Sequence, residues 1–169
     1  MLKKRFFIFF IILLLYQGNL YAKNNIAYMD FNYIINNSHI GKKVLKKLNE
    51  LNEKNIKDLK QEQMLLKKEI EEINKIKNIA SKEDINKKIT LHQQNIKDFD
   101  LLKKKLSNDL NQTKESEMKN LIKLINPLLE IYMEENSIDI IFNKEIVYFA
   151  KDQYDISKSI LELTNNKYK

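Results

Sequence analysis

The feature that most limits the fold is the stretch from residue 42 to residue 123, which contains neither glycine nor proline. These two residues most often interrupt helices, so their absence favours long helices. Apolar residues recur along the stretch at helical steps, with charged residues on both sides. The first stripe consists of Ile56, Leu59, Leu66, Ile70, Ile73 and Ala80, with Gln63 and Lys77 as polar interruptions. The second consists of Ile85, Ile89, His92, Ile96, Phe99, Leu106 and Leu110. This spacing predicts loose coiled-coil packing of two helices.

A boundary between the two helices is predicted near residues 78–82. Ser81 followed by Asp84 resembles a capping box, in which a side-chain oxygen accepts from a backbone amide of the first helical turn. One helix should therefore end near Ile79, and another should begin at Lys82. Two long helices joined by so short a turn must run antiparallel.

The predicted hairpin is long enough to project from the rest of the chain. A helix over residues 42–79 has 38 residues and extends about 57 Å at ~1.5 Å per residue. We therefore expect residues 42–123 to form an arm. Pro127 lacks a backbone donor, and its ring clashes with the preceding turn, so it predicts a kink or break in the return helix.

Short apolar runs near both ends of the chain predict strands. Ile26–Phe31 is rich in β-favouring residues. Ile138–Phe142 and Ile146–Ala150 are separated by only three residues, which predicts a β-hairpin. Asp155 is a good N-cap for a final helix over Ile156–Leu163.

The fold class predicted from these elements is α+β and mostly α, with a helical hairpin arm on a small β body. The body comprises residues 23–41 and 124–169. A three-stranded sheet has two exposed edges that can pair further, and the last run is apolar at every position. We therefore expect strands from several chains to close one sheet, with these candidate assembly residues: Ile26, Tyr28, Ile140, Phe142, Val147 and Phe149.

The first 22 residues have the order of a secretory signal peptide. Lys3, Lys4 and Arg5 precede the apolar run Phe6–Tyr16, and a polar stretch then ends at Ala22. The run is shorter than the ~20 apolar residues of a membrane-spanning helix, so we predict export and cleavage after Ala22. The chain has no cysteine, which excludes disulfides, thiol catalysis and a lipid-modified N-terminus.

Charge is distributed unevenly between the two predicted regions. Residues 42–123 carry 21 lysines and 14 acidic residues, a net of +7, whereas the remainder of residues 23–169 has a net of −3. A basic arm favours acidic partners, which include nucleic acid, anionic lipid and acidic polypeptides. The predicted export argues against nucleic acid. The turn region concentrates these lysines: Lys75, Lys77, Lys82, Lys87 and Lys88.

No pattern typical of an enzyme occurs in the sequence. His39 and His92 lie 53 residues apart without a metal-ligand pattern around them. His92 is better explained as a packed polar break in the seam than as a ligand. We therefore expect a protein without catalytic activity, metal or other cofactor. A structural coiled-coil adaptor of the envelope and a histone-like nucleic-acid binder remain alternatives.

The ends of the chain resemble the Skp/OmpH-type periplasmic chaperones. "IAYMDFNYIINNSHIGKKVLKKL" is similar to the family's opening pattern, with Asp30 and Gly41 at matching positions. "INPLLEIYMEENSIDIIFNKEIVYFAKDQYDISKSILEL" is similar to its closing pattern, with Pro127, Tyr148 and Asp155 matching. Phe149 separates Tyr148 from Ala150, and Asn136-Ser137 replaces the family's usual glycine. The resemblance covers essentially the whole chain after residue 22.

The resemblance implies a homotrimer in which a small β-barrel body carries three arms around a cavity. It also implies an ATP-independent holdase that keeps unfolded outer-membrane proteins from aggregating in the periplasm. Anionic lipid and lipopolysaccharide stay open as further partners. The client-binding candidates are the five turn-region lysines together with Ile76 and Ile79.

Overall fold

The computed structural model describes residues 25–169. The predicted signal peptide and its cleavage site after Ala22 lie outside these residues. In chain order the elements are β1 (Ile26–Met29), α1 (Phe31–Asn37), α2 (His39–Ile76), α3 (Lys82–Glu135), β2 (Ile140–Asn143) and α4 (Ser157–Lys167). Two short 3-10 turns occur at Lys144–Ile146 and Asp152–Tyr154. The α+β, mostly helical prediction is confirmed.

The arm is built from α2 and α3, which have 38 and 54 residues. At ~1.5 Å per residue they extend about 57 and about 81 Å. Both helices begin with a serine cap. The Ser38 hydroxyl accepts a hydrogen bond from the Gly41 amide at 3.1 Å, and the Ser81 hydroxyl accepts one from the Asp84 amide at 3.1 Å. The prediction of a cap at Ser81 is confirmed, and residues 77–81 form the turn.

The seam between the arm helices follows the predicted stripes only in part: Ile73 is buried, and Leu59 and Leu66 are half-buried. Ile56 and Ile70 are 57% and 39% exposed, whereas Asn55 is only 8% exposed. The Asn55 amide nitrogen lies 3.4 Å from the carbonyl oxygen of Leu106 on α3. Including Ile56 and Ile70 in the first stripe was therefore wrong. Ile89 and Ile96 of the second stripe are also exposed, at 37% and 41%. Polar side chains such as Asn55 occupy seam positions where their amide groups reach hydrogen-bond partners.

Of the kink or break predicted at Pro127, the break does not occur, because helix α3 continues through this residue. The proline removes the donor that the Lys123 carbonyl would otherwise receive. Around this point Leu121 and Ile125 are almost completely buried. Packing of this face against the body holds the helix together where its internal hydrogen bonding is weakest.

The sheet consists of β1 and β2, which pair in parallel. Ile26 lies opposite Ile140, and Met29 lies opposite Asn143. The predicted β-hairpin and third strand are therefore wrong for the described part of the chain. After β2 the Asn143 side chain accepts a hydrogen bond from the Glu145 amide at 3.2 Å, which starts a 3-10 turn. Residues 147–150 have no helix or strand assignment.

One apolar core joins the two ends of the chain. Its buried members are Ala27, Ile34, Ile125, Ile156 and Ile160. They come from β1, α1, α3 and the start of α4, so the arm root is part of the body's core. Fully burying one such side chain contributes about 1.5–3 kcal/mol relative to leaving it exposed.

Gly41 is required by the close approach of α1 and α2. A Cβ atom at this position would lie 2.0 Å from the backbone oxygen of Ile35. Ile35 and Ser38 are both buried beside it. A glycine therefore lets the chain turn from α1 into α2 without separating the two helices.

The last helix begins one residue later than predicted and extends to Lys167. Asp155 is not its N-cap residue, although a carboxylate oxygen of Asp155 accepts from the Ser157 amide at 2.9 Å. The Ile156 amide donates to the Tyr28 carbonyl at 3.0 Å. This bond to β1 fixes where the helix starts.

Candidate functional site

The tip of the arm presents several lysines and the side chain of Ile79 to solvent. The exposed lysines are Lys75, Lys77, Lys82, Lys87 and Lys88. Lys87 forms an ion pair with Glu83 one turn away, at 2.7 Å. Ile79 is 84% exposed, whereas Ile76 is half-buried. Of the two isoleucine candidates, Ile79 is therefore much more accessible to a partner.

The exposed cations of the tip create a field that attracts negative charge. Exposed cations act over about 8 Å at physiological salt. Burial of apolar side chains acts only at contact. Lysines around an exposed isoleucine are therefore suited to weak, distributed binding of an extended polypeptide.

A polar cluster lies within the seam in the outer part of the arm. His92 Nδ1 lies 2.9 Å from a Glu69 oxygen, and the Asn95 amide donates to the other Glu69 oxygen at 2.8 Å. The His92 side chain is 13% exposed. The structure thus places His92 as a polar break that is partnered across the arm. The role of Glu69 could not be found from local sequence, because its partners lie on the other helix.

An apolar groove on the body brings together five of the six assembly candidates. Ile26, Tyr28, Phe142, Val147 and Phe149 all line one cavity of about 490 Å³. The sixth candidate, Ile140, is the first residue of β2. It is 45% exposed and does not line the groove. The six candidates were predicted partly from a β-hairpin that does not form. Five of them nevertheless line this groove.

The segment beside this groove leaves large apolar side chains uncovered. Ile146 is 72% exposed, Phe149 is 89% exposed, and Tyr148 is fully exposed. Contiguous exposed apolar surface usually marks an interaction site. Within residues 25–169 of a single chain, this segment has no strand partner.

A polar network ties the loop after β2 to the start of α4. Lys144 Nζ lies 3.2 Å from an Asp155 oxygen, and Asp155 accepts hydrogen bonds from both the hydroxyl and the amide of Ser157. The Ser157 hydroxyl in turn accepts from the Asp30 amide at 2.8 Å. Both chain ends are therefore joined by hydrogen bonds as well as by the apolar core.

This network shifts the pKa values of the ion pair. Partial burial acts to raise the pKa of Asp155, but the hydrogen bonds from Ser157 and from Lys144 outweigh it and lower that pKa. The hydrogen bond to Asp155, and then the charge of Asp155, raise the pKa of Lys144. Both pKa shifts stabilise the charged forms of Asp155 and Lys144.

Within residues 25–169, no group of three or more histidine, cysteine or acidic side chains could hold a metal ion. In the same range no helix combines the length and the apolar character needed to cross a bilayer.

A family model described as "Outer membrane protein (OmpH-like)" matches residues 25–163. The chain belongs to the OmpH-like family. A crystal structure of a proposed OmpH-like outer membrane chaperone from Caulobacter crescentus CB15 matches with a TM-score of 0.77. The two chains share 12% identity, and 85% of each is covered. At this identity the likeness shows a shared fold. No curated protein sequence matches the chain.

The positions that resemble the OmpH-like pattern serve the body of this protein in different ways. Asp30 caps α1 by accepting from the Tyr33 amide at 2.8 Å. Gly41 permits the approach of α1 to α2, and Asp155 orders the start of α4. Tyr148 packs on nothing within the described chain and is fully exposed.

Proposed function

We propose that this protein is an ATP-independent holdase that binds unfolded outer-membrane proteins in the periplasm. The observation that carries the proposal is a long basic arm, rooted in a packed body, in a chain of the OmpH-like family. The arm ends in exposed lysines around Ile79. A holdase that works without ATP must bind its clients shallowly enough for them to leave by themselves.

The proposed location depends on cleavage of the first 22 residues. Intact-mass measurement on a periplasmic fraction should give a chain that begins at Lys23. Full-length chain in the membrane pellet would instead indicate an N-terminal anchor.

The proposed assembly is a homotrimer closed through the apolar groove of the body. The groove of about 490 Å³ and the exposed segment Ile146–Phe149 support this, because together they form an apolar surface beside an open sheet edge. In such a trimer three arms would surround one cavity and place a charge of about +21 around it. The number three comes from the family resemblance.

Assembly can be tested by placing a charge in the groove. Phe149→Asp should dissociate the trimer in analytical ultracentrifugation at micromolar concentration, because an unpaired carboxylate would have to be buried. Leu91→Asp is the matched control, since Leu91 is an exposed apolar residue of the arm. A wild type that sediments as a monomer would contradict the trimer.

Client capture can be tested with a denatured porin. The wild type should suppress porin aggregation without ATP. Changing all five turn-region lysines to glutamine should weaken and slow capture while the trimer persists, because those cations attract acidic clients. Raising salt from about 0.05 to about 0.5 M should do the same to the wild type, since the Debye length shortens.

The matched control removes the same number of charges nearer the arm root. This variant carries glutamine at Lys103, Lys104, Lys105, Lys114 and Lys119, and it should lose less affinity than the tip variant. Unchanged porin binding in both variants and in high salt would show that apolar contact and confinement hold the client. Failure of the wild type to suppress aggregation would favour the alternative of a structural envelope adaptor.

A further inference from the structure

The last turn of the chain forms hydrogen bonds to both arm helices at their roots. The Asn165 side-chain oxygen accepts from the His39 amide at 2.8 Å. The Tyr168 hydroxyl donates to the Leu124 carbonyl at 3.1 Å. One short segment at the end of α4 thus contacts the beginning of α2 and the return portion of α3.

On α2, Asn165 supplies a cap from a distant part of the chain. The first four amides of any helix lack partners within that helix. Ser38 satisfies the Gly41 amide, and Asn165 satisfies the amide of His39, the first residue of α2. The direction in which α2 starts is therefore tied to the position of α4.

On α3, Tyr168 acts where the helix is least able to hold itself straight. Pro127 leaves the Lys123 carbonyl without its usual donor, and its ring crowds the preceding turn. Leu124 lies in that turn, and its carbonyl receives the Tyr168 hydroxyl. A second donor thus reaches the backbone at the point where α3 would bend most easily.

Helix α4 is itself firmly held, so it can serve as a fixed reference. Ile160 and Thr164 have no exposed surface. The Thr164 hydroxyl donates to the Ile160 carbonyl at 2.7 Å, which satisfies it inside the core. Asn165 and Tyr168 follow directly after this buried turn.

We propose that Asn165 and Tyr168 form a root clamp, a pair of positioning residues that sets the angle at which the arm leaves the body. Asn165 holds the outgoing helix and Tyr168 holds the returning helix beside Pro127. Loss of either bond lets the arm pivot while the body core stays folded. In the proposed holdase, this angle would set the width of the space between arms.

The first test measures the arm angle directly. The chain has no cysteine, so Asn36→Cys on α1 and Lys103→Cys on α3 give a single pair of spin-label sites. The distance between the labels is measured by pulsed electron–electron double resonance. Position 103 lies about 36 Å along the helix from Pro127, which converts a small pivot into a measurable shift. Labelled full-length protein is diluted with unlabelled protein so that only distances within one chain contribute. No client is present, so the result does not depend on holdase activity.

Tyr168→Phe and Asn165→Leu should each broaden the distance distribution, and together they should broaden it further. Asn165→Asp keeps an acceptor for the His39 amide and should retain the wild-type distribution. Tyr33→Phe and Asn166→Ala make similar changes at an exposed tyrosine and at the neighbouring exposed asparagine. Both control variants should match the wild type.

Hydrogen exchange provides a second readout of the same clamp. Asn165→Leu should raise exchange of the His39 amide, and Tyr168→Phe should raise exchange in residues 124–131, each about fivefold. That factor corresponds to one net hydrogen bond of about 1 kcal/mol. If both variants keep the wild-type distance distribution and exchange rates, the clamp is overturned.

Discussion

In the body, side chains from four elements close over one another, whereas in the arm two helices share one narrow seam. The fully buried side chains lie in the body and the arm root: Ile34, Ser38, Leu121, Ile125, Ile160 and Thr164. Among the described residues in the outer part of the arm, the buried apolar side chain is that of Ile73. Glu69, His92 and Asn95 occupy the seam beside it.

The arm and the body of this chain are therefore stabilised by different interactions. The arm depends on helix continuity, caps and many weak contacts along its length. The body depends on a few close contacts with little room to relax. A substitution should therefore cost much in the body and little in the arm, and the arm can vary its surface charge without losing its shape.

A large effect is expected at the junction of the two regions, for Gly41→Ala. The new methyl group would lie 2.0 Å from the Ile35 backbone oxygen, so α1 and α2 must separate. We expect a loss of about 3 kcal/mol in unfolding free energy, measured by urea denaturation at one fixed protein concentration. At an unhindered helix position the same change stabilises by about 1 kcal/mol. A stabilised Gly41→Ala variant would contradict the close packing of α1 on α2.

One substitution in each region tests this difference in stability directly. Ile160→Ala removes a side chain with no exposed surface and should cost about 2–5 kcal/mol. Ile70→Ala removes the same atoms from a position on the arm that is 39% exposed, and it should cost less than about 1 kcal/mol. Equal losses in urea denaturation would show that body and arm do not differ as described.

A smaller effect is expected from the charge of Asp155. Its pKa is lowered in the folded protein, so its contribution is present above the ordinary value of 3.8 and is lost as pH falls through the lowered value. The stability that Lys144 contributes through its raised pKa is present below pH 10.5. It is lost as pH rises through the raised value. Asp155→Asn keeps the acceptor for Ser157 and should cost about 1 kcal/mol near pH 7.

The pH dependence separates this charge effect from a packing effect. The difference in unfolding free energy between wild type and Asp155→Asn should disappear below the lowered pKa of Asp155. A difference that stays constant down to acid pH would mean that shape, not charge, accounts for the loss.

The smallest effect is expected at the arm tip. Lys87→Gln breaks the exposed ion pair with Glu83, and such pairs contribute about 0.3–0.5 kcal/mol. The melting temperature should therefore change little. A large loss would show that the tip is held by its charges, and the tip lysines would then be unsuitable for testing client capture separately from folding.

The helices of the arm could be predicted from sequence because helix formation is local. The absence of glycine and proline, together with the capping box at Ser81, was sufficient to indicate two long helices and the turn between them. The exposure of Ile56 and Ile70 was missed because every isoleucine of the stripe was assumed to face inward. Asn55 and Glu69 occupy the seam instead, since each finds partners on the opposite helix.

The sheet could not be predicted in the same way because its partners are far apart in sequence. Ile26 pairs with Ile140, and no local pattern indicates that pairing. The run Ile146–Ala150 has strand-like composition but lacks a strand partner within the described chain. The same composition still identified most of the residues that line the groove, because apolar character was judged correctly even though the hairpin was wrong.

Parallel pairing of β1 with β2 also constrains the order of folding. The two strands are separated by the whole arm, so closing the sheet from an unfolded chain would carry a large loop-closure entropy. The α2–α3 hairpin has mainly local contacts and can form first. Once formed, the hairpin brings the two chain ends together, so only a short loop remains to be closed when the strands pair. The arm therefore serves as the connection that allows the sheet to form, and the sheet should be the last part of the chain to acquire its native structure.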